Sequence, residues 1–529
     1  MAMEAEKQRT NDAKARLADA KQMKAKFLPD IEECYRFTVP PRASSLQSAA
    51  PGDASTADSD LNTSLGPEVC DDFATMVIST FLPETQQWAS RSIVPAPGVD
   101  RSVANEAQAT LDDGDKTIRA LILQSTFYEE ISKSFPPDIG IGTVAVLIEM
   151  DRLYDPPTVR GIPLRKLEIN LGPDGKVDDR FLVDVVSAGK LEGVVPRKLW
   201  PAKVAAKVES AFGRSSRSQA TVECVWGWWR DWSRRDTVVW THVLLLDGEL
   251  ADHRQIEGVG SCPLIVGRFS PLPEFAFGWG PTMKALPDLR HVDKLATELI
   301  RAVDFSIAPP TTYPDDAFVN VEGGIESGMA YPVRPGDEKA IKKIYEPTGL
   351  DAGYFDVQER ERRVKRLHFV DKPEQRGDTP PTATQWTDEI ALTQRRIGTP
   401  GRVFWSEFAA GVWDRFAFLA TKAGRIQPVD AGVGTVRTIP DNPAQRAQDM
   451  QDVSNAARLG EIGGGLFPEE WKVTVDGAKT LKNLKEKIGD TIVEFRSKED
   501  IETAVAQMSQ LTGGAAPGVQ QDQGALLQS

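Results

Sequence analysis

Cysteine and histidine are scarce in this 529-residue chain, with four of each. Cys34, Cys70, Cys224 and Cys262 stand far apart with no CxxC pair. That excludes a zinc knuckle, argues against a disulfide framework, and leaves buried free thiols in a reducing compartment as the expectation. His242, His253, His291 and His368 have no partner at metal-ligand spacing, so no metal is expected. Long apolar runs are missing: none approaches the roughly 18–20 residues that cross a membrane. The N-terminus is charged and Ala-rich instead of carrying an apolar signal core, so a soluble intracellular product is expected. Catalytic signatures are missing too. No GxxxxGK[ST], GxSxG or HExxH occurs, and Gly172-Pro-Asp-Gly175-Lys176 reads as a turn between strands. The pairs Asp71-Asp72 and Asp315-Asp316 lack a third nearby carboxylate and read as surface turns or helix starts before they read as a Mg²⁺ site. No cofactor and no enzymatic activity are expected.

Positive charge is also in deficit. Lys and Arg number 63 against 77 Asp and Glu, a formal net charge of −14. Tight sequence-specific DNA binding needs clustered cations, so it is disfavoured. Loose contact with DNA is not, because an acidic wall would keep DNA from sticking.

What is present is helix, with strand between. Residues 4–36 read as one amphipathic helix, with Lys7, Lys14 and Lys21 recurring every seven residues on a solvated face. Residues 40–66 read as a loop, and 67–81 and 103–134 as helices. TVAVLIEM (143–150) and 181–186 read as strands. VECVWGWW, TVVWTHVLLL, a turn at Asp247-Gly248 and PLIVGRF read as one antiparallel block over 221–269. Trp226, Trp228, Trp229 and Trp232 with Arg230, Arg234 and Arg235 interleave aromatics and cations as single-strand binders do. Their alternation along a strand favours sheet core or a subunit contact. The fold class is α+β, mainly helical.

Residues 280–424 carry the strongest pattern. A helix opens at Gly280-Pro281, where proline suits the first turn. Leu289, Val292, Ala296, Leu299 and Val303 follow a 3-4-3-4 spacing, a narrow seam suited to packing between neighbouring helices. A Pro/Gly-rich insert (307–349) follows, with room only for short strands such as 317–321 and 329–333. A second helix spans 351–369 and holds the densest basic run, Arg360, Arg362, Arg363, Lys365 and Arg366. After a polar loop, Thr382 with Gln385 forms a capping box that opens a helix of about 60 Å. Pro400 should kink that helix without ending it. Residues 442–511 are again helical in pattern, and the tail after Gly513 has the composition of a flexible extension.

Several short motifs recur in a familiar order: Asn62-Thr-Ser-Leu-Gly66, Phe81-Leu-Pro83-Glu-Thr-Gln-Gln-Trp88, Ser125-Thr-Phe127-Tyr128 and Gly140-Ile-Gly142-Thr143. Phe277-Gly-Trp-Gly-Pro281, Ala285-Leu-Pro-Asp288, Ala308-Pro309-Pro310 and Pro380-Pro-Thr-Ala-Thr-Gln385 follow. In that order the chain resembles the portal, or head-to-tail connector, proteins of short-tailed bacteriophages over about residues 5–510. The resemblance implies a viral portal fold of wing, stem, clip and crown, assembling as a closed ring, usually of twelve subunits, around a channel for double-stranded DNA. It maps the wing to 1–280, the stem helices to 281–307 and 351–369, and the clip to 308–350. The channel loop falls at 370–381, the long kinked helix at 382–424, the crown at 425–511 and a flexible tail at 512–529.

On this resemblance Lys372, Arg376, Arg363 and Arg366 would touch DNA in the channel. Lys342, Lys343, Asp315 and Asp316 would serve clip docking. Leu289, Val292, Ala296, Leu299 and Val303 would form the ring interface. The implied partners are further copies of the chain, DNA, the packaging terminase, a tail adaptor, and the major capsid and scaffolding proteins, with no membrane. The implied place is the portal vertex of a virion made in a bacterial cytoplasm. An enzyme of the packaging machinery and a ring-forming tail adaptor are the alternative readings.

Overall fold

In the computed structural model, the residues described are 2–43, 61–150, 152, 155–212, 220–235, 237–309, 311–314, 327, 330–333, 342–343, 350–371, 396–429, 432–441 and 443–466, with a few isolated positions beyond. Contacts divide the chain into two units, Met1–Gln445 and Arg446–Ser529.

The N-terminal stretch forms two helices, α1 (Ala2–Ala25) and α2 (Leu28–Thr38), where one was expected. Pro29 lies in the first turn of α2, where its missing N–H costs least, and the chain breaks just before it. The lysine face of α1 is turned partly onto the protein: Lys21 pairs with Glu223 at 3.9 Å. A single turn, α3 (Pro40–Ala43), precedes α4 (Leu65–Phe81), β1 (Ala89–Pro95) and α5 (Arg101–Gln124). Then come α6 (Phe127–Ile141) and β2 (Thr143–Glu149). The helical pattern over 103–134 therefore divides at Ser125-Thr126, where the Ser125 hydroxyl accepts from the Phe127 N–H at the start of the new helix.

Eight antiparallel strands follow two plans. β4 (Leu167–Leu171), β5 (Val177–Ser187), β6 (Thr221–Arg230), β7 (Val239–Leu246) and β8 (Glu249–Glu257) form a five-stranded meander. The helices α7 (Leu191–Val194) and α8 (Ala202–Phe212) lie between β5 and β6. Asp247 and Gly248, both at positive φ (47° and 77°), make the tight turn read between β7 and β8. The last run of the expected block, PLIVGRF, departs from it. It forms β9 (Leu264–Arg268), which pairs with β2 in a separate sheet of order β3-β2-β9, with β3 at Thr158–Ile162. All five residues of β9 are buried, as suits a strand covered on both faces.

After β9 come α9 (Pro281–Ile307), then β10 (Thr311–Pro314), β11 (Ala330–Val333) and β12 (Lys342–Lys343) in a small sheet of order β11-β10-β12, and α10 (Leu350–Leu367). β11 falls on the run read at 329–333, whereas 317–321 lies outside the described residues. The opening of the long helix at Thr382–Gln385 lies outside them as well. Residues 396–404 are helical and lead through a π-helical turn, Trp405–Ala409, into α11 (Ala410–Lys422). The helix passes through Pro400, and its irregular turn comes later, opposite β9, than the proline predicted. There Arg268 and Glu407 form a buried ion pair, and Gly267 meets Phe408 so closely that an added Cβ would lie 2.4 Å from the Phe408 Cβ.

β13 (Gly434–Pro440) pairs along its whole length with β1. Residues 434–440 are thus tied to the body of the first unit, which runs to Gln445. α12 (Pro443–Leu466) follows.

Two large apolar cores share the β3-β2-β9 sheet. One joins α4, α5 and α6 to Phe404, Phe408, Trp413 and Phe416, with the Phe404 and Phe408 rings stacked at 5.2 Å. The other joins α2, the opposite sheet face, β4 and β5 to Leu286, Leu289 and Val292 of α9 and Val364 of α10. Successive tryptophans of β6 serve opposite faces, Trp228 in this second core and Trp229 in a smaller one under α1. That is the sheet-core role their alternation favoured. Among the described residues no helix is long and apolar enough to cross a membrane, and no cluster of His, Cys, Asp or Glu could hold a metal ion.

Candidate functional site

The motif Phe277-Gly-Trp-Gly-Pro281 ends on the helix pair that dominated the sequence. Its backbone locks into Gly140-Ile-Gly142-Thr143. The Gly280 N–H donates to the Ile141 carbonyl at 2.8 Å, and the Gly278 N–H to the Thr143 hydroxyl at 2.9 Å. Gly142, at φ +117°, ends α6, and an added Cβ on Gly280 would lie 2.2 Å from the Gly140 carbonyl oxygen. Only glycine permits this approach of two chain segments. A second pair of motifs meets similarly: the Tyr128 hydroxyl donates to the Pro83 carbonyl and accepts from the Trp88 indole N–H, each at 3.3 Å.

α9 and α10 run antiparallel, as their contacts show in order. Thr282 meets His368, Asp288 meets Arg360 and Arg363, His291 meets Asp356, and Leu299 lies against Gly353. Asp288 is the centre of the ionic arrangement. Its nearly buried carboxylate accepts from Arg360 Nη1 at 3.0 Å and lies 3.3 Å from Arg363 Nε. Asp356 holds Arg360 from the other side at 3.2 Å and faces His291 Nε2 at 3.1 Å. Arginine forks suit such paired carboxylates.

At the base, His368 is fully buried. Its Nδ1 lies 2.9 Å from the Val364 carbonyl, which can only accept, so the proton sits on Nδ1. Nε2 then accepts from the Thr282 hydroxyl at 3.0 Å. Burial lowers the His368 pKa to about 4, so the ring is neutral at neutral pH. Cys70 packs against the same hydroxyl, and burial raises its thiol pKa to about 12, leaving it unreactive.

Ion pairs fasten both helices to the body. Arg290 of α9 binds Glu33 of α2 through two nitrogens, and Lys365 of α10 binds Glu68 of α4 at 3.2 Å. Asn62, in the first quoted motif, donates from its side chain to the Thr297 hydroxyl and from its backbone to Asp293. Where α10 ends, Asp371 pairs with Arg396 at 3.2 Å, and Arg396 also donates to the Arg366 carbonyl and lies over the Phe369 ring.

Of the residues singled out for the seam, Leu289 and Val292 are 1% and 0% exposed inside the chain's own core. Their neighbours are α2, α4 and α10 of the same chain, which corrects their reading as a surface left for another copy. Ala296, Leu299 and Val303 are half-buried. Among the described residues, the freely exposed apolar side chains of the pair are Ile300, Ile307, Tyr354 and Phe355, of which Tyr354 alone falls on the heptad spacing of the second helix, with Val357, Val364 and His368. Arg363 pairs with Asp288 yet keeps its side chain 67% exposed, and Arg366 is exposed. Lys342 and Lys343 form β12 opposite Thr312 and Thr311. Asp315, Asp316, Lys372 and Arg376 lie outside the described residues. Thr282, Asp288, Glu33 and Glu68 went unread as site residues. Their partners lie up to 297 positions away, as for Lys365 and Glu68, and no local pattern encodes them.

Residues 10–489 match the family model described as bacteriophage head to tail connecting protein. No curated protein matches the chain.

Proposed function

The chain belongs to the bacteriophage head-to-tail connecting proteins, a family of structural connectors, and we propose that it acts as the portal ring of a phage head. The observation that carries this reading is the α9–α10 pair. Its base is fastened to the body by buried contacts and ion pairs, while Ile300, Ile307, Tyr354 and Phe355 stand exposed toward its far end. A helix pair rigid at one end and apolar at the free end suits side-by-side packing in a closed ring, where the same two surfaces repeat at every subunit boundary. Twelve copies is the family's usual number.

In this proposal the paired helices line a channel for double-stranded DNA. Exposed Arg366, partly engaged Arg363, and Lys372 and Arg376 of the loop 370–381 touch passing phosphates without gripping them. An acidic chain keeps such contacts few, which favours sliding over retention. The small sheet containing Lys342 and Lys343, with Asp315 and Asp316, would dock the packaging terminase and later a tail adaptor. Capsid and scaffolding proteins would surround the body at one vertex of the virion, after synthesis in the bacterial cytoplasm. The role is steric and electrostatic and requires no catalysis.

Electron microscopy of the purified protein tests the assembly: rings with a central hole are expected, and monomers under every condition would overturn the proposal. Deleting Lys372–Asp378 tests the loop. Rings should persist while genome content per particle falls, and normal genome content would remove the loop from the mechanism.

A further inference from the structure

At the edge of a sheet, half of a strand's backbone hydrogen-bonding groups point away from the ladder and need a partner elsewhere. β1 and β13 form a two-stranded ribbon, so each of them is an edge. Two flanking bonds fix which groups point where. The Ala96 N–H donates to the Val433 carbonyl and the Asp441 N–H to the Trp88 carbonyl, each at 3.0 Å. Hydrogen-bonded and non-hydrogen-bonded pairs alternate along an antiparallel ladder. Counted inward from both ends, Thr435, Arg437 and Ile439 turn their backbone groups toward β1, whereas Val436 and Thr438 turn theirs outward.

Other edges of the molecule are closed. On β1, the Gln108 amide of α5 accepts from the Ile93 N–H at 3.0 Å and donates to the Arg91 carbonyl at 2.9 Å, and Asp115 accepts from the Arg91 N–H at 2.7 Å. α6 closes β3 in the same manner. The Thr126 hydroxyl bonds to both the N–H and the carbonyl of Val159, and Glu130 accepts from the Gly161 N–H, all at 3.1 Å. β8, at the outer edge of the meander, carries Glu249, Asp252, Arg254 and Glu257, charges of the kind that deter edge pairing. β13 has neither protection. Among the described residues nothing bonds to the backbone N–H or carbonyl of Val436 or Thr438, and the strand holds one charge, Arg437. Side chains alternate, so Thr438, bonded to Asp414 at 2.6 Å, and Arg91, bonded to Asp115, face the body. Arg437 faces away from those carboxylates with Ile439 and Val94, is exposed, and has no carboxylate partner among the described residues.

We propose that the outer edge of β13 takes an extended segment of a partner protein as a third, antiparallel strand, and that this segment carries a carboxylate opposite Arg437. The incoming strand bonds to the open groups of Val436 and Thr438. Arg437 then occupies a non-hydrogen-bonded position, where facing residues come closest, about 4.5 Å between Cα atoms. An opposite charge directly across stabilises such a pair, and a like charge there opposes it. Two residues to either side of the carboxylate, the segment's side chains lie against Ile439 and Thr435, which suits β-branched or aromatic residues. Main-chain bonds supply the affinity, and the ion pair fixes the register. The site uses none of the residues assigned to the α9–α10 pair or to DNA, so it does not rest on the ring.

Fluorescence anisotropy tests it, with the full-length chain titrated into a labelled, end-blocked peptide of β-branched residues around a central Glu. A second peptide carries Lys at the centre. Saturable binding of the Glu peptide is expected, about fivefold or more tighter than that of the Lys peptide, with the preference inverted in Arg437→Glu. Val436→Pro removes one outward N–H and leaves the bonds to β1 in place, since proline is tolerated where a strand's N–H faces away from the ladder. That variant should weaken binding about tenfold while the thermal midpoint stays nearly unchanged. Arg437→Glu keeps the test valid if Val436→Pro fails to fold. No saturable binding, equal affinity for the two peptides, or affinity unchanged in both variants would overturn the proposal. Rings lost in Val436→Pro, with no peptide bound by wild type, would give the edge to a second copy and overturn it as well.

Discussion

The two ends of the α9–α10 pair share one helical spacing and differ in almost everything else. At the base, Leu289 and Val292 are sealed in the body's core, His368 hydrogen-bonds to Thr282, and Asp288 gathers two arginines. Toward the far end, Ile300 and Tyr354 are about half exposed, Phe355 is 68% exposed and Ile307 78%. Even there the helices stay close, since a Cβ on Gly353 would lie 2.9 Å from Leu299 Cδ2. One end therefore contributes to the stability of the single chain, and the other presents surface. A heptad seam does not reveal where that change occurs, because the spacing of apolar residues is blind to which chain covers them.

The sharpest way to break the comparison is to truncate equivalent side chains at the two ends. Leu289→Ala should cost about 2–5 kcal/mol, the range for an aliphatic side chain removed from a packed core. Ile300→Ala should change the isolated chain by about 0.5 kcal/mol or less, as surface substitutions do. Urea midpoints measured on unassembled protein check both. Equal losses would mean that the far end is packed in solution.

This contrast also marks what the sequence could reveal. Periodicity and punctuation located α9 from the proline at its start, the β7–β8 turn from Asp247-Gly248, and β11 from a short apolar run, because each signal is local. Pairing partners were harder. β9 looked like the next strand of the meander, yet it lies beside β2, where all five of its residues are buried. β13 read as part of the 425–511 segment, yet it pairs with β1 more than 300 residues earlier. The ordered short motifs were the best guide to long range. Those around Gly142 and Gly280, and those around Trp88 and Tyr128, are far apart in the chain and touch in the fold. The site residues divided in the same way: the basic run on α10 was legible, whereas Asp288 and Thr282, which hold it in place, were not.

A second test concerns the base alone and uses pH. His368 has a folded-state pKa of about 4 against an ordinary value of 6.5. Below pH 6.5 the unfolded chain takes up a proton that the folded chain refuses, so stability falls as pH drops toward 4. Between pH 6.5 and 5 this amounts to about 2 kcal/mol. His242, also lowered to about 4 by burial, acts in the same direction. Asp138, raised to about 6 by burial that outweighs Arg42, acts in the opposite one below pH 6. Comparing wild type with His368→Gln cancels those two contributions. The variant should be less stable by about 1–2 kcal/mol at pH 7.5, from the lost buried hydrogen bond. That deficit should close or reverse by pH 5. Parallel pH profiles would show that His368 is already protonated, or accessible to protons, in the folded protein.

The smallest expected effect on stability carries the most functional weight. Phe355→Ser and Ile307→Ser should leave the thermal midpoint of the unassembled chain nearly unchanged, because both side chains already face water. If these residues are covered by a neighbouring copy in a ring, each closed ring contains the same substituted contact at every boundary, and a modest loss per contact is multiplied around the circle. The double variant should therefore shift the population from rings to smaller species at a protein concentration where wild type is fully assembled, as read by mass photometry or sedimentation velocity. Leu289→Ala, despite its larger effect on folding, should leave ring formation intact wherever the chain remains folded. The reverse pattern, with rings lost on changing Leu289 and kept on changing Phe355 and Ile307, would place the subunit contact at the base of the helix pair and remove the far end from the assembly.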